Sequence, residues 1–203
     1  SRDQFEAINS SSWLMTEDTE FSKTFLVEVS RGCPYVCRFC TVGFSYPKVR
    51  WKPLERIWED IESVKEYNPR VGLISATVGN HPQIDELCEG LMRENLGVSF
   101  SSLRADQLPD SILETLVRGG SKSMTLAPET GSEALRKSIN KRFSDEQYFE
   151  ASQRAFNKGI KNLKMYSMVG LPNEIDEDMD SLVKLVEQTR KLQLACGQGG
   201  GRI

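Results

Sequence analysis

Short apolar, β-branched runs alternate with amphipathic helical stretches five times along this chain, and that alternation restricts the fold to a parallel sheet with right-handed helical crossovers. The first run is Thr24-Phe25-Leu26-Val27-Glu28-Val29. After Pro53, the residues Leu54, Ile57, Trp58, Ile61 and Val64 recur at helical spacing up to Pro69. The pairs that follow are a strand over 71–77 with a helix over 82–94, and a strand over 98–103 with a helix over 109–118. A fourth strand over 123–127 leads into helical stretches at 131–139 and 144–159, the latter opening with the capping-box pattern Ser144-Asp145-Glu146-Gln147. A fifth strand over 163–169 precedes a helix over 176–194. Five units are too few to close an eight-stranded barrel, so the pattern predicts an open doubly wound sheet or a partial barrel. Residues 1–22, beginning Ser1-Arg2-Asp3-Gln4, are polar and turn-rich and read as an irregular lead-in to a domain over 23–203. The glycine-rich end, Cys196 to Ile203, stands where this rhythm calls for a sixth strand, so the chain reads as part of a larger protein.

Composition narrows the classes. Of 203 residues, 38% are hydrophobic, enough for a core and too many for a disordered chain. With 26 Lys+Arg against 29 Asp+Glu, the net charge of −3 supplies no long-range basic field for scanning nucleic acid. There is no run of about 18 apolar residues and no signal-peptide core, which predicts a soluble, cytoplasmic protein away from membranes.

Three of the five cysteines crowd into Cys33-Pro34-Tyr35-Val36-Cys37-Arg38-Phe39-Cys40, directly after the first strand. Ligand sites of parallel α/β sheets lie at that end of the strands. Three thiolates hold three corners of a 4Fe-4S cube and leave one iron open, whereas structural zinc asks for four protein ligands. Cys88 and Cys196 lie far off in sequence and form no second pair; Cys88 falls on an apolar stripe and reads as core. A zinc-stabilised binding domain and an electron-transfer iron-sulfur module remain as alternatives. Phe39 reads either as loop packing or as an apolar wall that tunes a cluster.

The C-x3-C-x2-C spacing, with an aromatic before the last cysteine and a strand before the first, resembles the radical S-adenosylmethionine (SAM) superfamily. The resemblance implies a partial (βα)6 barrel, here truncated near its sixth strand. It also implies a [4Fe-4S] cluster on Cys33, Cys37 and Cys40, and SAM chelated to the open iron. One electron from the reduced cluster then cleaves SAM to methionine and a 5′-deoxyadenosyl radical, with an external donor of flavodoxin or ferredoxin type.

Further positions follow from the same resemblance. The family's segment for the methionyl amine falls on Ser75-Ala76-Thr77-Val78-Gly79, which has no acidic residue and leaves backbone carbonyls and hydroxyls for that task. Ser102 and Arg104 follow the third strand, and a guanidinium there can meet the SAM carboxylate in a fork. Glu129, in Pro128-Glu129-Thr130-Gly131-Ser132, falls on the position that bonds the sugar or methionyl end. Lys141 falls on a basic position that reaches the carboxylate, with Arg142 beside it. Tyr166 lines the SAM or substrate cavity, and Val169 and Leu171, just before and within a Gly-Leu-Pro-x-Glu turn, shape the adenine pocket.

The flanking residues look most like the branch with an upstream cobalamin domain, bordering on the methylthiotransferases. No Asp-x-His-x-x-Gly pattern is present, so cobalamin belongs only to a longer enzyme. The single histidine, His81, reads as an exposed loop residue, and the stretch from Glu174 to Asp178 as a charged first helical turn.

Overall fold

The computed structural model describes residues 10–19, 21–67 and 70–203; the N-terminal Ser1–Gln4 and the helix boundary at Pro69 lie outside them. The strands are β1 (Thr24–Glu28), β2 (Ser30–Arg31), β3 (Arg50–Trp51), β4 (Arg70–Ile74), β5 (Val98–Phe100), β6 (Ser123–Glu129) and β7 (Asn162–Ser167). The helices are α1 (Val42–Ser45), α2 (Leu54–Glu62), α3 (Ile84–Arg93), α4 (Asp110–Arg118), α5 (Glu133–Ser138), α6 (Asp145–Lys158) and α7 (Asp176–Ala195).

Five strands pair in parallel, in three pairings. β4 lies between β1 and β5, and β6 pairs with β7. The two groups are joined beyond the end of β5, where Leu103 bridges Leu126 in parallel and its N–H donates to the Thr125 carbonyl at 3.0 Å. The resulting order, β1-β4-β5-β6-β7, adds each strand on the same side and lacks the reversal of a doubly wound sheet. Residues beside both outer strands occupy edge hydrogen bonds. Ser11 bridges Val27 antiparallel along β1, and the Leu163 N–H donates to the Arg202 carbonyl at 3.0 Å beside β7.

Period-two alternation explains the core. Phe25 and Val27 of β1, Val71 and Leu73 of β4, and Val98 of β5 are buried with Ile57 and Ile61 of α2 and with Leu87, Cys88 and Leu91 of α3. Each fully buried Leu, Ile or Val contributes about 1.5–3 kcal/mol. Cys88 is fully buried, as its position on an apolar stripe predicts. The opposite face of the strands carries Ile74 and Tyr166, 43% and 54% exposed, and is open to solvent.

The sequence reading differs from the structure at several points; β4 ends at Ile74 rather than at residue 77, and β7 at Ser167 rather than at residue 169. The β2–β3 antiparallel pair and α1 interrupt the first βα connection, because the cysteine segment folds back onto the strand end instead of leading directly to a helix. The third strand ends at Phe100 rather than at residue 103, since Leu103 has already turned to reach Leu126. His81 is 3% exposed rather than solvated, because the turn before α3 folds it against Trp51, at 5.4 Å between ring centroids. The capping box of Ser144 and Gln147 and the acidic first turn of α7 form as expected.

Candidate functional site: the cysteine loop and the strand ends

Since the strands are parallel, the segments that follow β1, β4, β5, β6 and β7 all emerge at one edge of the sheet. The cysteine segment leaves β2 through Gly32, whose φ of +101° is a left-handed conformation that side-chain-bearing residues rarely adopt. A Cβ at Gly32 would also press on the carbonyls of Tyr46 and Lys48, at 2.7 and 2.6 Å. From there the Cys33 N–H donates to the Tyr46 carbonyl at 3.1 Å, and the Cys40 N–H to the Cys37 carbonyl at 3.0 Å. Gly43 in α1 lies directly beneath the Tyr35 carbonyl, where a Cβ would collide. The other side of the loop is tied to the turn after α5. The Arg38 N–H donates to the Ile139 carbonyl at 2.9 Å, and Asn140 Nδ2 to the Val36 carbonyl at 3.0 Å.

Cys33 and Cys37 are buried and Cys40 is half-buried. Burial pushes the Cys33 thiol up; the Tyr35 N–H opposes this, the neighbouring Cys37 and Cys40 add to it, and Arg104 opposes it. Among the described residues, no three Cys, His, Asp or Glu side chains are grouped closely enough to hold one metal ion. Phe39 is 42% exposed and lies at the solvent side of the loop.

At the neighbouring strand end, after β4, Ser75 is held inside the protein. Its Oγ lies 2.5 Å from Ser30 Oγ and accepts from the Thr77 N–H at 3.0 Å, while its carbonyl accepts from the Ser101 hydroxyl at 3.2 Å. Thr77 is 5% exposed, and its Oγ1 has no hydrogen-bond partner; neither does the buried Oδ1 of Asn80. Both residues line a small cavity together with Ala76, Gly79, Ser102, Arg104 and Gln107. Buried polar atoms without a partner are uncommon; among the described residues Arg50 Nε and the Tyr148 hydroxyl are the others.

Arg104 reaches from the end of β5 back to the cysteine loop. Its Nε and Nη2 donate to the two carboxylate oxygens of Asp106 at 3.0 and 2.9 Å, and its guanidinium lies 3.9 Å from the centre of the Tyr35 ring. Nη1 is directed at Cys37 Sγ, 4.0 Å away. Burial works against the guanidinium charge, but Asp106, joined by Tyr35 and Cys37, outweighs it and the Arg104 pKa is raised.

Glu129 ends β6 at φ +67° and accepts from Lys141 Nζ at 2.6 Å; both side chains are largely buried. The chain on both sides of this pair is held by Arg136, which is fully buried. It donates to the Thr130 carbonyl at 2.7 Å and the Phe143 carbonyl at 3.3 Å and forms an ion pair with Asp145.

The structure thus joins Arg104 to Cys37, Glu129 to Lys141, and Ser75 to the Ser101–Ser102 segment. Tyr166 and Val169, 54% and 70% exposed, stand open on the β7 side, and Leu171 is half-buried there. Sequence reasoning passed over Tyr35, Asn80, Asp106, Gln107 and Arg136. Tyr35 inside the cysteine motif and Asp106 two residues after Arg104 were visible signals; the buried setting of Arg136 had none.

Residues 27–186 match the sequence profile of the radical SAM superfamily. An uncharacterised protein of Methanocaldococcus jannaschii is 37% identical over 179 residues, a match covering 87% of this chain and 39% of that protein. A tRNA-2-methylthio-N(6)-dimethylallyladenosine synthase of Fusobacterium nucleatum is 25% identical, with 84% of this chain and 43% of the relative covered. The chain therefore spans about two fifths of the length of these relatives. Among solved structures, the radical SAM methyltransferase TsrM from Kitasatospora setae superposes with a TM-score of 0.69 at 12% identity, over 82% of this chain and 34% of its own. The cobalamin-dependent SAM radical enzyme OxsB gives a TM-score of 0.60 at 22% identity, over 80% of this chain and 26% of its own. These two likenesses show a shared fold.

Proposed function

Because the chain belongs to the radical SAM superfamily, we propose that Cys33, Cys37 and Cys40 hold a [4Fe-4S] cluster and that SAM binds along the adjacent strand ends of a partial (βα)6 barrel. The observation that carries this reading is the partnerless pair Thr77 Oγ1 and Asn80 Oδ1 on the loop after β4, at the same sheet edge as three cysteines in one loop. Three thiolates and two oxygens suit an iron-sulfur cluster and the ammonium group of a methionyl ligand.

When bound, the cluster and SAM supply one electron and a 5′-deoxyadenosyl radical, chemistry that belongs to the cofactors. The chain's part is to bind and orient. Thr77 and Asn80 accept from the methionyl amine, with Ser75 and Ala76 shaping the backbone around it. Ser102 and Lys141 face the carboxylate, and Glu129, held by Lys141, presents its second oxygen to the sugar. Tyr166, Val169 and Leu171 form the open side on which adenine and substrate are received. The phenyl ring of Phe39 shields the cluster loop from water. The reaction driven by the radical is substrate modification, and the names of the similar proteins make methyl or methylthio transfer the leading class. Cobalamin, where used, would come from another part of a longer protein. Closely spaced free cysteines suit a reducing, cytoplasmic setting, and the proposed cluster would make the protein oxygen-sensitive. Among the described residues no helix is long and apolar enough to cross a membrane.

The test is anaerobic iron-sulfur reconstitution followed by electron paramagnetic resonance of the dithionite-reduced protein with and without SAM. A reduced 4Fe-4S signal that changes on adding SAM is expected. Stoichiometric zinc with no paramagnetic signal would overturn the proposal in favour of a structural domain.

A further inference from the structure

Asp106 closes the fork edge of the Arg104 guanidinium through Nε and Nη2, at 3.0 and 2.9 Å. One face lies 3.9 Å from the Tyr35 ring centre, and Phe143 stands further off at 5.9 Å. The remaining nitrogen, Nη1, is directed at Cys37 Sγ. A ligand carboxylate could take this fork only by displacing Asp106, and on the Nη1–Nη2 edge it would compete with Cys37 Sγ for Nη1. We infer that Arg104 is a positioning residue for the cysteine loop, setting the electrostatic field at Cys37, and is not the clamp for the SAM carboxylate.

The inference rests on the proposed cluster and goes beyond it. Tyr35 is fixed between Cys33 and Cys37 by Gly43 below it, and its hydroxyl lies 3.4 Å from Asn80 Nδ2. The stack on Tyr35 and the fork to Asp106 therefore leave the guanidinium little freedom to turn away from the thiolate. The side chains of Arg104 and Asp106 are each only 12% exposed, so water screens this charge poorly. A fixed positive charge beside a sulfur ligand favours the state of the cluster that carries the extra electron. Lysine would preserve the charge and lose both the fork and the stack.

The experiment is a redox titration of the anaerobically reconstituted full chain, followed by paramagnetic resonance, with SAM affinity measured in parallel. Arg104→Met is expected to lower the reduced-to-oxidised ratio at a fixed potential about tenfold, equivalent to about 59 mV for one electron, with SAM affinity unchanged. Asp106→Asn, which removes a negative charge from the same place, is expected to move the ratio in the opposite direction. Paired shifts of opposite sign are not expected from a purely structural role. An unchanged ratio in Arg104→Met, or a loss of SAM affinity with the ratio unchanged, overturns the inference. If Arg104→Met fails to take up a cluster, Asp106→Asn decides: a raised ratio supports the inference and an unchanged one overturns it. A wild-type chain that takes up no cluster defeats the proposed function itself, whereas a normal cluster with an unmoved ratio defeats only the role of Arg104.

Discussion

Lys141 and Glu129 form an ion pair of 2.6 Å with side chains only 6% and 13% exposed, closing the space between the end of β6 and the turn after α5. Twelve residues separate them, and Glu129 holds a left-handed backbone at φ +67°. Breaking one partner of a buried pair strands the other charge. Lys141→Met is therefore expected to destabilise the fold by about 3 kcal/mol, and the double variant with Glu129→Gln by less than the sum of the single changes. Urea unfolding of the four proteins measures this; strict additivity would show that the two charges do not interact.

Arg136 makes a stronger case for the same physics. It is fully buried, and it satisfies two carbonyls and Asp145 together. Arg136→Met would leave Thr130 and Phe143 carbonyls without their donor and Asp145 without its cation. A loss of about 3–5 kcal/mol is expected in the same unfolding assay. A loss under about 1 kcal/mol would mean that water takes over these bonds.

His81 gives the fold an acid limit. Burial lowers its pKa from that of free imidazole, outweighing the contact of Nε2 with the Lys52 carbonyl at 3.1 Å. Its Nδ1 accepts from the Gln83 N–H at 3.1 Å, which requires the neutral ring with the proton on Nε2. The unfolded chain therefore binds this proton more readily than the folded one. The stability from neutral His81 is present above a pH of about 6.5 and is lost as pH falls toward the lower folded pKa. Unfolding midpoints at neutral and mildly acidic pH should show the slope in the wild type and a weaker one in His81→Asn. An equal slope in both would assign it to other groups.

The cysteines divide by environment. Cys33→Ala, Cys37→Ala and Cys40→Ala are each expected to abolish a stable cluster, read as iron and sulfide content after reconstitution. Cys88→Ala, far from the loop and fully buried, should keep the cluster and cost about 1 kcal/mol of stability. Full cluster content in all three loop variants would exclude the site.

The alternation of the five parallel strands with their helices, the capping of α6, the acidic first turn of α7, the burial of Cys88 and the cysteine triplet were legible in the chain, since each depends on residues near one another in sequence. Apolar residues two or three to four apart define a face, and three cysteines within eight positions define a loop. Contacts between distant segments were not legible. No local pattern says that Arg104 turns toward Cys37 and pairs with Asp106, that Lys141 meets Glu129, that Arg136 disappears into the core, or that His81 folds in against Trp51. A polar side chain near a sheet edge finds solvent or a partner according to which strand ends lie beside it. That is decided by the order β1-β4-β5-β6-β7, because strand pairing brings those loops to one edge only once the whole chain has folded.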